Sequence, residues 1–263
     1  MHVHLPKALH GWRELAKEVG IIVLGVLIAL GFEQLVQSWR WREQVRTTRD
    51  ALTNEIILSA LWAEERLAVQ QCLHQRVAEL VTKLNSAGPN WTGDPLVVGH
   101  ARNPIGREFE TAIPVVYRTP HRPWLGDEWE TAKSTGVVDH MDRGDVRLFE
   151  FIFRSVSELR AYQDQETALQ PQISFLSFNQ NRDPQSRVQA LVTLARLDYI
   201  NGIETQMARE MLSAARLTRL PTGRMQIGPR TTTLTAATQR VVTAVRDRYG
   251  RCVVDPNAAE QQK

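Results

Sequence analysis

The chain has 263 residues, with 32 basic and 29 acidic side chains and a formal net charge of +3. That balance demands neither nucleic acid nor a strongly acidic partner, and the length leaves room for one domain with a real core. Arginine outnumbers lysine by 27 to 5, which reads as the codon bias of a GC-rich genome before it reads as a set of phosphate sites.

Residues 1–14 form a short segment carrying Lys7 and Arg13, together with His2, His4 and His10, which suffice at most for adventitious metal binding. From Val19 to Phe32 no side chain is charged or hydrogen-bonding. Apolar character continues outward through Leu15 and Val36, which gives a helix of about 33 Å, enough to cross a hydrocarbon core with a little tilt. Glu18 and Glu33 sit near the ends, where a carboxylate reaches the headgroups. Trp12 precedes the span, while Trp39 and Trp41 follow it, at the spacing of interfacial aromatic belts. The expectation is a transmembrane helix over 15–37 that contacts the lipid bilayer. A buried core helix and a cleaved signal peptide are the competing readings, the latter weakened by Glu14 and Glu18 in its basic region. Gly25 and Ala29 form a small-xxx-small pair that permits close helix pairing, with a lipid-facing helix as the plainer reading.

Basic residues flank both ends of the span, so charge counting does not set its orientation. An N-terminal segment in the cytoplasm and a C-terminal domain in the periplasm are expected, on the strength of the two cysteines. A cytoplasmic domain is the rival arrangement.

Beyond the span, no Gly or Pro occurs from Trp39 to Asn85, and Leu52, Ile56, Ala60, Ala63, Leu67, Val77, Val81 and Leu84 recur at helical spacing. This amphipathic helix can run straight on from the span as one rod. Residues 88–124 then carry Pro and Gly too densely for a helix, and Ala112–Arg118 reads as a short extended piece. Asp127–Thr135 is a short helix closed by Gly136. Asp142 or Asp145 caps a second long helix that buries Val146, Phe149, Ile152, Phe153, Val156 and Leu159 and stops or kinks at Pro171. Ile173–Phe178 is either a kinked continuation or a loop. Asp183-Pro184 starts a helix reaching about Leu220, and a last helix covers Thr232–Tyr249. The fold class is all-α: one transmembrane helix, then an antiparallel helical bundle over 38–254 with a long irregular Pro/Gly-rich loop, and a disordered tail over 255–263.

Candidate chemistry is sparse. Cys72 and Cys252 lie outside any metal-ligand spacing. A disulfide between them would staple the first and last helices, and two unrelated thiols is the alternative. Asp139, His140, Asp142 and Asp145 are acidic enough for a cation, but helix capping explains them better. Asn90-Trp91-Thr92 matches a glycosylation sequon. No nucleophile elbow, P-loop, dinucleotide fingerprint or zinc motif is present, so no catalytic, cofactor or metal residue is assigned. An envelope enzyme remains an alternative, with a site in the Pro-rich region 88–130 built from Glu108, Glu110, His121 or Asp127.

Two segments carry a resemblance. Trp12 to Leu30 followed by Glu33-Gln34, and Trp129-Glu-Thr-Ala-Lys-Ser-Thr-Gly136 running into an aromatic-bearing helix, resemble uncharacterised single-pass inner-membrane proteins of Gram-negative bacteria, a family of unknown function. The resemblance implies an inner-membrane anchor and a helical domain, and it carries no activity with it. The expected role is binding or scaffolding at the envelope, with an envelope protein or a second copy as partner.

Overall fold

The computed structural model describes residues 11–96, 115–181, 183–218, 220, 225–227 and 230–255. The chain is mostly helical, 81% helix against 4% strand, so helix packing decides the fold. Helix α1 spans Trp12–Ser86, α2 Asp127–Ser134, α3 Arg143–Leu169, α4 Pro184–Leu217 and α5 Leu234–Tyr249. Two short antiparallel pairings complete the order: β1 (Asn90–Trp91) with β2 (Gln180–Asn181), and β3 (Met225–Ile227) with β4 (Arg230–Thr232).

Helix α1 contains both halves of the molecule's character. Its segment from Leu15 to Trp39 exposes Val19, Ile22, Leu24, Leu27, Leu30 and Leu35, and none of its apolar window is buried. It is one helix long and apolar enough to cross a membrane, and it is not tucked into a protein core as the core-helix reading would require. From Leu52 onward the same helix becomes the spine of the domain, burying Leu52, Ile56, Leu73, Leu80 and Leu84. No Gly or Pro lies between Phe32 and Ala87, so nothing in the sequence breaks the hydrogen-bond ladder at the junction.

Contacts fix how the other helices lie. Arg49 and Arg66 of α1 pair with Asp145 and Glu166 of α3, so these two helices run the same way. Arg66 pairs with Glu204, His74 with Asp198 (2.8 Å), and Asn85 accepts from Arg187 (3.3 Å), so α4 runs opposite to α1. Helix α5 packs on the far part of α1 and contributes Val242 and Val245 to the core there.

The caps follow from residue chemistry. The Asp142 carboxylate accepts from the Gly144 N–H (2.8 Å) and the Asp145 N–H (3.3 Å), so Asp142 and not Asp145 caps α3. Asp183 accepts from the Ser186 N–H (2.7 Å), ahead of Pro184 in the first turn of α4. Helix α4 ends at Leu217, short of Leu220. Thr233 caps α5, whose first helical residue is Leu234. The ambiguous stretch resolves as a 3₁₀ run, Gln170–Ser177, started by Pro171 at a position where its missing N–H costs nothing.

Two apolar clusters build the interior. One gathers Leu52, Ile56, Ala60 and Ala63 with Trp124, Trp129, Phe149, Ile152, Leu159, Ala208 and Met211. The other gathers Ala68, Val69, Leu73, Leu80 and Leu84 with Trp91, Tyr117, Ile173, Leu176, Leu194, Leu197 and Val242. On α1 the first ends at Ala63 and the second begins at Ala68. Between these buried residues stand three charged side chains, Glu64, Glu65 and Arg66, and Leu67, which packs against the first cluster.

Candidate functional site

Arg66 points into the gap between the two clusters, and its side chain is 5% exposed. Its guanidinium donates to both carboxylate oxygens of Glu166 (3.1 Å each), to Asn201 Oδ1 (3.1 Å), and pairs with Glu204. Asn201 in turn donates to the Gln70 carbonyl (3.4 Å). One layer of side chains thus ties α1, α3 and α4 at a single level. The layer extends outward through Glu65, which accepts from Arg122 Nε (2.5 Å) and from a terminal guanidinium nitrogen (2.7 Å).

The electrostatics of the layer are uneven. Arg66 faces two carboxylates. Burial disfavours its charge, but Glu166 and Glu204 outweigh that and hold its proton more tightly than usual. Burial raises the Glu204 carboxyl from its ordinary 4.5 to about 8, against the pull of Arg66 and with the help of Glu166. The hydroxyls of Tyr117 and Tyr249 are buried beside this layer without a partner among the described residues. Burial pushes the first well above its ordinary value and the second up to about 12. A cavity of about 10 Å³ opens between Trp62, Arg66, Arg122, Trp124, Gln163 and Glu204. That volume accommodates about one water, not an organic substrate.

The described end of the Pro-rich region is a wall of this layer. Gln163 of α3 accepts from the Arg122 N–H (2.8 Å) and donates to the Arg122 carbonyl (2.9 Å), while Trp124 Nε1 donates to the same Gln163 oxygen (3.2 Å). Val116, Tyr117 and Trp124 are buried. Arg76 of α1 grips both edges of the excursion between them. It donates to the Val116 carbonyl (2.9 Å), to the Asp94 carbonyl (2.6 Å) and to the Asp94 carboxylate (3.0 Å). Leu96 and Val115 form a bridge where that excursion leaves and returns (2.7 Å).

The residues proposed for an enzymatic site fall in different places. Glu108 and Glu110 lie outside the described residues, as does part of the extended piece at 112–114. His121 is exposed, with its ring nitrogen 3.5 Å from Thr167 Oγ1. Asp127 opens α2, whose N-terminus is served by the Glu55 carboxylate of α1, 3.4 Å from the Glu128 N–H. The structure therefore does not join His121 and Asp127 into one hydrogen-bonded group.

Cys72 and Cys252, 180 positions apart in sequence, are joined by a disulfide with their Cα atoms 5.0 Å apart. Of Asp139, His140, Asp142 and Asp145, three are engaged locally: Asp142 caps α3, Asp145 pairs with Arg49, and His140 stacks on Trp41 (ring centroids 3.8 Å). Among the described residues, no three His, Cys, Asp or Glu side chains gather as a metal site.

The segment from Trp129 to Gly136 has a packing explanation. Trp129 is buried and lies parallel to Phe153 (5.8 Å), with Phe149 at 6.3 Å and the Lys133 ammonium over its ring at 5.9 Å. Ala132 is buried beside it, and Gly136 adopts φ 72°, the left-handed turn that lets the chain leave α2 for the 3₁₀ turn Val137–His140.

Arg66, Glu166 and Glu204 escape a reading by motif. Their signal is charge inside an apolar stripe: Glu166 follows Ile152, Leu159 and Gln163 at helical steps, and Glu204 sits between Leu197 and Ala208. No protein-family model, curated protein or solved structure matches the chain.

Proposed function

We propose that the chain is a membrane-anchored helical-bundle protein of the bacterial envelope with a binding or scaffolding role. Residues 15–37 cross the inner membrane, and the domain over 38–254 stands in the periplasm. The observation that carries this is α1 itself: an apolar segment, none of whose window is buried, continuous with the spine of a packed domain. A large exposed apolar surface is costly in water and favourable in lipid. The Cys72–Cys252 bond supports an oxidising compartment, and the resemblance to single-pass inner-membrane proteins points the same way. Val188, Val192 and Tyr199 are exposed at helical steps on α4 and offer an apolar strip to a protein partner or a second copy.

Separation of cell membranes tests this. The chain should stay with the bilayer after alkaline carbonate washing, and externally added protease should digest its domain in spheroplasts but not in intact cells. Release by carbonate, or protection in spheroplasts, would contradict the anchor or the compartment respectively.

A further inference from the structure

Where α1 leaves the domain, its side chains Gln34, Gln37, Ser38, Trp41, Arg42 and Val45 form one face, spaced at three and four residues. With His140 they line a shallow, open groove of about 550 Å³. The groove is built from a distinct set of groups. His140, stacked on Trp41, forms the wall against the domain. Gln34, Gln37 and Arg42 make no side-chain hydrogen bond or ion pair among the described residues. No carboxylate lines it. Two neighbouring arginines differ: Arg46 is engaged by Glu43 (2.6 Å) and Asp50 (3.7 Å), and Arg49 by Asp145. The groove therefore carries an uncompensated cation, two free amides and an aromatic wall.

Its depth names the occupant. If the apolar span ends at Val36, then Gln37 to Arg42 rise about 9 Å beyond it, through the headgroup layer. On the same face, towards the N-terminus, lie Leu27, Leu30 and Gly31, against which an acyl chain can lie. Nothing stands within 4 Å of a Cβ placed at Gly31. We infer that this groove binds an anionic phospholipid, with Arg42 on the phosphate and the deeper Gln34 and Gln37 on the ester and glycerol oxygens beneath it. The inference rests on the reading of 15–37 as a membrane span.

The test uses the full chain in detergent, with bound lipid counted by native mass spectrometry. The probes are phosphatidylglycerol and phosphatidylcholine of identical acyl chains. Phosphatidylglycerol should be retained in preference by about fivefold, the effect of one basic side chain near an anionic surface. Arg42→Gln should abolish that preference. Arg40→Gln, on the opposite side of the helix, should keep it. Equal retention of the two lipids by the unaltered chain, or equal loss in both variants, would overturn the site while leaving the anchor intact. Both arginines are exposed, so unchanged circular dichroism is expected for both variants. Release of the unaltered chain from membranes by carbonate would overturn the anchor and the site together.

Discussion

Arg66 is the residue on which the interior turns. It neutralises charge inside a layer that two apolar cores seal from either side, so removing it strands Glu166 and Glu204. We expect Arg66→Met to cost about 3–5 kcal/mol in urea unfolding, the scale for breaking a buried ion pair from one side. Glu204 behaves in the opposite sense. Its folded carboxyl titrates near 8 against an ordinary 4.5, so between those values the folded protein holds a proton that the unfolded chain releases. Stability contributed by this group is therefore full below about 4.5 and falls as pH rises towards 8. Glu204→Gln, which keeps the shape without the ionisation, should flatten the fall in melting temperature across that window. A slope unchanged from that of the parent chain would assign the pH dependence elsewhere. The layer also offers a reason for its own retention. Charged groups at one level on α1, α3 and α4 penalise any slip of one helix past another, because a slip buries them without partners.

At the scale of elements, Arg76 is the hinge pin of the Pro-rich region, holding Asp94 and Val116 at once. Arg76→Ala should lower stability by about 1.5–3 kcal/mol, the range for hydrogen bonds to charged groups, and speed tryptic cleavage between residues 94 and 116. Gly93 restrains the same region differently. A Cβ there would stand 2.5 Å from the Ser177 carbonyl oxygen and 2.8 Å from backbone carbon of Phe178, so Gly93→Ala must push β1 away from the 3₁₀ run. Much of this level was legible in the residues. Asp183-Pro184 and Gly136 announce helix ends, and the cap of α3 narrows to Asp142 or Asp145, because capping and left-handed turns depend on local chemistry alone. The apolar repeats of α1, α3 and α4 likewise predict which faces are buried. The partners of those faces were not legible. Nothing local says that Gln163 clamps Arg122, or that Glu55 serves the start of α2, since each contact joins residues far apart in sequence. The charged layer stayed hidden for a related reason. Periodicity scores a charged residue as surface, and only three-dimensional packing shows that Glu166 and Glu204 continue apolar stripes.

The whole molecule is closed by one covalent link between the first and last helical regions. Cys72 lies on α1 and Cys252 follows α5, and the Val254 N–H donates to the Ala68 carbonyl just beyond the bond (3.1 Å). Closing so long a loop restricts the unfolded chain, and we expect replacing both cysteines by Ser to cost about 2–5 kcal/mol in thermal or denaturant unfolding. The other long-range feature is α1, whose 75 residues run for about 110 Å at helical rise. Between Phe32 and Ala87 it has neither a glycine nor a proline, so the greasy part and the spine share one axis without a swivel. A domain hung on a floppy leash samples every attitude above a bilayer. On the proposed anchoring this one is mounted on a stiff mast, so that a twist or tilt imposed on its apolar foot by lipid thickness or a neighbouring helix is passed along the helix to the head.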